Sequence, residues 1–490
     1  MDFEVVIGLE VHAQLSTVSK MFCGCSSDYQ DAAPNTVVCP VCMGMPGVLP
    51  VINRKAVEYV IRTGLALGCD IASYTKFDRK NYPYPDLMKG YQISQYDLPI
   101  ASDGTMPIEV DGAQRTVGVT RVHLEEDVAK LMHRTEGFGE GYSLLDVNRA
   151  GVPLMEIVGE PDLRSAEEAR AYLMQLHTIL QYIGTSSANM EEGNFRCDAN
   201  ISIRPVGQEE YGTKVEIKNM NSFRSVFRAL EYEAERQVKV VESGGRIVQE
   251  TRGWVEEDSV TVSQRVKEGA SDYRYFPEPD LPPLRISPTW VDEIESSLPE
   301  LPHSRKTRFV SQLGLPEYDA SLLTATKSTA DYFEEVLHSA PGRAAKSEEF
   351  AKAASNWMLG EMARLLNQSG QEISEVMIEP SQIAELQTMV DDSTLSSTMA
   401  KTVFEKMFET GQSPRQIAES EGLVQISDTD AVLTAVQEAI SANPDPVADY
   451  LAGKQQAMGF LVGQVMKATG GKANPRMASQ MVREQLEAMR

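Results

Sequence analysis

Polar and apolar positions alternate along four stretches of the chain. Residues 3–15, 114–124, 197–204 and 214–218 run with period two, the pattern of strands with one buried face and one polar face. Helices are expected between them. Ser165 followed by Glu168 makes a capping box, and Tyr172, Leu173, Leu176, Ile179, Leu180 and Ile183 then recur at helical spacing until Gly184. A second long helix is expected from Ser222 to Gly244-Gly245. Strands and helices do not alternate one for one. The pattern therefore predicts an α+β fold, a mixed α/β region with a largely antiparallel sheet, rather than a doubly wound one. The proline-dense run 275–283 reads as a stiff linker and sets a boundary near residue 290. Helix patterns dominate beyond it, at 330–337, 351–366, 400–409 and 432–442. Gly411-Gln412-Ser413-Pro414 sets a second boundary near 410. The expected division is 1–290, 291–410 and 411–490.

The polar faces carry the candidate chemistry. On the first strand Glu10, His12 and Gln14 share one side, while Leu9, Val11, Ala13 and Leu15 share the other. A carboxylate beside an imidazole suits a divalent cation or a proton relay, although a solvated edge strand would read the same way. His123 and Glu125 repeat the pattern and run into Glu126 and Asp127, which repel unless a cation or a basic group offsets them. Two His-plus-Glu strands point to one shared metal. Asp198, Asn200, Ser202 and Arg204 share a face, as do Lys214, Glu216 and Lys218. Both rows suit a cleft for an anionic substrate or a solvated sheet face. Residues 76–92 hold Arg79, Lys80 and Lys89 among tyrosines and prolines. They read as an ordered loop over a site, or as a surface loop only, and as neither helix nor central strand.

Cys23-Gly24-Cys25 and Cys39-Pro40-Val41-Cys42 form the sharpest local signal. Four thiolates at this spacing favour a structural, tetrahedral Zn²⁺ in an insert at about 20–45, over a redox pair or unrelated buried thiols. Cys69 and Cys197 read as core residues.

Composition narrows the class. A chain of 490 residues exceeds a single core and suggests about three domains. Its 42% apolar and 24% charged content excludes a disordered or fibrous chain. No apolar run approaches the roughly 20 residues of a membrane helix, and the acidic start has no signal-peptide pattern. A cytoplasmic protein is expected. The net charge of −25 opposes non-specific binding to nucleic acid, so any RNA contact must be local. The candidate clusters are Arg305, Lys306 and Arg308, and Lys467, Lys472 and Arg476. Phosphate-loop, dinucleotide-binding, nucleophile-elbow and H-E-x-x-H signatures are all absent from the sequence, so any nucleotide is held without a standard motif.

These residues resemble a known family, the B subunits of tRNA-dependent amidotransferases. The matching strings are residues 6–12 (VIGLEVH), 78–85 (DRKNYPYP), 90–95 (GYQISQ), 123–127 (HLEED), 146–158 (DVNRAGVPLMEIV), 190–200 (MEEGNFRCDAN), 212–223 (GTKVEIKNMNSF), 272–284 (DYRYFPEPDLPPL) and 459–475. Met88 stands where the family commonly has proline, and the four-cysteine cluster is missing from some members. The resemblance implies a catalytic cradle domain, a helical domain and a small tail domain, the latter two against tRNA. It implies a heterotrimer with an amidase (glutaminase) subunit and a small third subunit. The amidase releases ammonia from glutamine, and the family's B subunit uses ATP to activate the side-chain carboxylate of Glu-tRNA(Gln) or Asp-tRNA(Asn). On that reading Glu10, His12, Glu125 and Glu126 hold Mg²⁺ or move protons. Lys80 and Lys89 line the ammonia path or offset charge. Glu156 and Asp198 are further candidates for the same shell. Arg79, Arg196 and Arg204 take phosphates or the acceptor end. The competing reading is a zinc-stabilised tRNA-binding or assembly protein without chemistry of its own.

Overall fold

The period-two segments assemble into one sheet. The computed structural model describes residues 2–134, 141–266, 273–340, 342, 347–423, 429–452, 454–469, 473 and 475–489. Four strands form the middle of a nine-stranded sheet: β1 (Phe3–Gln14), β2 (Ala113–Glu126), β3 (Pro153–Gly159) and β4 (Phe195–Pro205). The order runs Val260–Val266, Glu250–Val255, Val215–Met220, β4, β1, β3, β2, Ala101–Val110, Asp70–Ile71. Every neighbouring pair is antiparallel except Val215–Met220 with Glu250–Val255. The long β1 pairs β4 from Phe3 to Ala13.

One face of this sheet is apolar. Val11, Ala13, Val122, Leu124, Met155, Ile157, Ala199 and Ile201 are buried there. Helices α1 (Ala166–Tyr182) and α2 (Phe223–Glu242) complete the same core, with Tyr172, Leu173, Leu176, Ile179 and Leu180 all buried at the predicted spacing. Their starts are fixed by serine caps. Glu168 N donates to Ser165 Oγ at 3.1 Å, and Ser225 N donates to Ser222 Oγ at 3.0 Å. Glu168 reaches back to Arg164 N at 2.8 Å rather than to the cap residue's own amide. Covering one face with helices leaves the other for polar side chains.

Two expectations are corrected. Residues 76–92 are not simply a loop: Asp78–Asn81 is the central strand of a three-stranded sheet, between Phe276–Pro277 and Tyr91–Ser94. Pro83 and Pro85 fall in the connection, where they remove no ladder hydrogen bond. Residues 275–283 are not a linker, because Phe276–Pro277 is the edge strand of that sheet, a position proline tolerates. Glu278 is fully buried and binds Arg79 with both oxygens, at 2.7 and 2.8 Å.

The first compact unit accordingly runs to Pro302, and Ile294 of helix Pro288–Ser296 lies in its core. The second unit, His303–Arg490, is helical throughout its described residues. It has two separate cores. One gathers Phe309, Phe333, Phe404 and Met407 and reaches Ala418; the other gathers Val436, Leu461, Val465 and Val482.

Candidate active site

Strand register decides which polar residues meet. His12 on β1 pairs with Glu156 on β3, Glu156 pairs with His123 on β2, and His12 pairs on its other side with Arg196 on β4. Directly paired residues project to the same side of a sheet. The Glu156 carboxylate therefore stands between two imidazoles, with one oxygen 3.5 Å from His12 Nε2 and 3.3 Å from His123 Nε2. Glu125, two residues beyond His123, brings Oε1 to 3.7 Å from His12 Nε2. One ligand atom from each of His12, Glu125 and Glu156 lies within 4.8 Å of the others. Burial works against the Glu156 carboxylate, but His123 and His12 hold it well below its usual range. Burial also pushes His12 down, yet Glu156 and Glu125 outweigh it and raise this imidazole above its usual value. An imidazole and two carboxylates fit an oxygen-preferring divalent cation, which would replace protons as the neutralising charge.

The structure separates the remaining candidates. Glu10 accepts from Asn200 Nδ2 at 2.8 Å. It faces a cavity of about 270 Å³ lined in part by Gly8, Asn200, Ser202, Tyr211 and Lys214. Asp198 binds Lys218 Nζ at 2.5 Å. Arg196 reaches Asp127 at 2.8 Å, and Asp127 also accepts from Gln14 at 2.7 Å. Arg204 does not join the cluster: its guanidinium binds Glu4 at 2.6 Å and the Glu209 carbonyl at 2.8 Å. Neither does Arg79, which both oxygens of Glu278 hold while the Tyr91 ring lies 4.2 Å from it. Both are paired within the fold, Arg79 to Glu278 and Arg204 to Glu4.

The Asp78–Asn81 and Tyr91–Ser94 strands bring a second layer onto the end of β2. Glu125 and Glu126 are adjacent and project oppositely. Ser94 Oγ donates to Glu125 at 3.2 Å, whereas Glu126 takes Ile93 N at 3.0 Å and pairs with Lys89. Glu126 is thus not brought to the His12 cluster. Lys80 comes from the central strand of the small sheet, 5.2 Å from the Tyr273 ring and 5.9 Å from Tyr82. Burial depresses its ammonium, but the charges of Glu125 and Glu156 raise it above its ordinary value, so it stays cationic beside them. Two parts of the site went unassigned in the sequence. Asp127 anchors Arg196 and was visible only as the third member of a charge run. Tyr273 beside Lys80 comes from a distant segment, the one whose Glu278 binds Arg79 across a separation of 199, and carries no local signal.

Cys23, Cys25, Cys39 and Cys42 also converge, with all four sulfurs within 4.8 Å of one another. Cys39 and Cys42 Sγ stand 3.9 Å apart. Tetrahedral Zn–S bonds of about 2.3 Å require S···S spacings of about 3.8 Å, so the four residues fit zinc.

The basic clusters of the second unit behave differently. Arg305 is 5% exposed and held by Asp331 at 2.7 Å and by Glu334, which corrects it from an RNA contact to a buried support. Lys306 faces Glu317 at 3.1 Å and Arg308 faces Glu334 at 2.6 Å. Lys467 and Arg476 are exposed, and Lys472 lies outside the described residues. No helix among the described residues is long and apolar enough to cross a membrane.

Comparison with known proteins accounts for this arrangement. Residues 5–292 match the family described as the GatB/GatE catalytic domain, and residues 331–486 match the GatB domain. The B subunit of the aspartyl/glutamyl-tRNA(Asn/Gln) amidotransferase of Dehalococcoides mccartyi strain CBDB1 is 56% identical over 487 residues, 99% of each chain. The B subunit of the same name from Caldicellulosiruptor saccharolyticus is 55% identical over 490 residues, 99% of this chain and 100% of that one. That of Carboxydothermus hydrogenoformans is 54% identical over 485 residues, 99% of each. With matches spanning both compact units and near-complete coverage of these relatives, the chain belongs to the family of aspartyl/glutamyl-tRNA(Asn/Gln) amidotransferase B subunits.

Proposed function

We propose that this chain activates the side-chain carboxylate of misacylated Glu-tRNA(Gln) or Asp-tRNA(Asn) with ATP and amidates it with ammonia. The observation that carries the reading is the row His12–Glu156–His123 with Glu125 beside it and the Lys80 ammonium facing it. A carboxylate is a poor acyl donor because oxide leaves badly. Its oxygen attacks the γ-phosphorus of ATP, the bond to ADP breaks, and an acyl phosphate forms. Ammonia then attacks the carbonyl carbon, phosphate leaves, and nitrogen loses one proton.

The chain's residues serve these steps by position and charge. His12, Glu125 and Glu156 would hold Mg²⁺, whose chemistry here is to screen phosphate charge. Lys80 offsets the charge gathering on the transferred phosphoryl group. The cavity beside Glu10 and Asn200, with Lys214 in its lining, suits the nucleoside end of ATP. Lys89 and Glu126 form a charge pair on the other side of the strand from Glu125, suited to passing ammonia and taking a proton from ammonium as it arrives. The four cysteines would hold a structural Zn²⁺. The ammonia comes from a separate amidase (glutaminase) chain, with a small third chain completing a heterotrimer. Residues 291–410 and 411–490 serve as two tRNA-facing parts, with Lys306, Arg308, Lys467, Lys472 and Arg476 as phosphate contacts.

The test replaces glutamine by ammonium chloride in the assembled complex, which bypasses the amidase. Glu125→Gln and Glu156→Gln are expected to lower ATP-dependent amidation by on the order of 10²–10⁴-fold while the complex still assembles. Wild-type rates in both variants would remove the chemistry from this chain.

A further inference from the structure

A buried lysine stands behind the four cysteines with no carboxylate of its own. Lys20 is 1% exposed, and its ammonium donates to the Val37 carbonyl at 2.8 Å. Among the described residues it forms no ion pair with Asp or Glu. Its surroundings belong to the cysteine loops. Lys20 N donates to the Cys25 carbonyl at 2.9 Å, and Val37 lies two residues before Cys39. The lysine stem and Cys42 both pack on Gly151, where a Cβ would lie in ordinary contact with each, 3.5 Å from Cys42 Cβ and 3.7 Å from Lys20 Cδ.

A buried ammonium is costly unless an anion faces it. Four thiolates around one divalent ion carry net negative charge, and this too is costly without a nearby cation. We propose that Lys20 is the buried counter-charge of the four-thiolate centre, a positioning residue that sets how tightly the centre holds its metal. The proposal rests on the zinc reading above. Each charge solves the other's problem: the metal centre gives the ammonium its anion, and the ammonium lets a doubly paired cysteine loop sit against the sheet. The hydrogen bond to Val37 fixes the ammonium in place and ties it to the segment leading into Cys39.

The experiment uses the full chain and Zn²⁺ itself, competed against a chromophoric chelator. Lys20→Gln keeps a donor for Val37 but removes the charge. It is expected to bind zinc 10–100-fold more weakly than the wild type, as outer-shell changes do. Zinc affinity equal to wild type overturns the counter-charge role and leaves the zinc site standing. A wild-type chain that takes up no zinc overturns both readings. A second comparison covers a variant that folds poorly. In a chain carrying Cys23→Ser, Cys25→Ser, Cys39→Ser and Cys42→Ser the ammonium has lost its anion, so adding Lys20→Met is expected to raise Tm. An equal fall in Tm with and without the cysteines would make Lys20 a packing residue only.

Discussion

Glu156 shows what a single residue owes to its register. In the sequence it is one acid in a mostly apolar stretch, ranked behind Glu10 and Glu126. Pairing with His12 on one side and His123 on the other makes it the hub of the polar face. Arg305 shows the reverse. It reads as one of three clustered cations, yet it is buried and occupied by Asp331 and Glu334. Arg305→Ala is expected to destabilise the second unit by roughly 1–3 kcal/mol. That is less than the 3–5 of a fully buried pair, because its partners are partly exposed. The effect has a pH signature. Burial raises the Asp331 carboxyl, but Lys327 and Arg305 outweigh it and hold it below its usual value. Its contribution is therefore present above the unfolded value of about 3.9 and lost as pH falls through the lower folded value. Urea unfolding should show the gap between wild type and variant at pH 7 and a narrower one at pH 3. An equal gap at both would assign the loss to packing.

At the scale of elements, the metal loop and the small sheet meet at one point. Gly44, just past Cys42, has φ +66°, and a Cβ added there would overlap the Lys89 side chain. The cysteine loop thus backs the Lys89–Glu126 pair. Gly44→Ala combines backbone strain with displacement of Lys89. It is expected to slow ammonium-driven amidation by roughly 10–100-fold, as small misplacements near reacting groups do, with zinc content unchanged. An unaffected rate at full zinc content would disconnect the loop from the site. These elements also mark the limit of reading the sequence. The β1 alternation, both serine-capped helices and the cysteine convergence were legible because their signals lie within a few residues. Helix Arg54–Ala66 and strands Ala101–Val110 and Pro153–Gly159 went unassigned, and the third supplies Glu156. Residues 78–81 and 276–277 looked like loop and linker because each is stabilised by the other, about 200 residues away. Local pattern does not encode such pairing. It also cannot show which partner a cation will meet, as Arg79 meets Glu278 and Arg204 meets Glu4.

The whole molecule joins a sheet with one helix-covered face and one polar face to a second, helical unit, on a chain of net charge −25. That charge leaves RNA contact to local exposed cations such as Lys467 and Arg476, and it predicts tRNA affinity that falls with added salt over few phosphates. Central to the account is that the polar face makes an acyl phosphate of the substrate carboxylate. The most direct measurement labels both side-chain carboxylate oxygens of Glu-tRNA(Gln) with ¹⁸O and analyses the phosphate released by the assembled complex with ATP and ammonium chloride. The account predicts that each phosphate formed with product carries one ¹⁸O atom, and that Glu156→Gln suppresses label and product together. Amide product accompanied by unlabelled phosphate would contradict it.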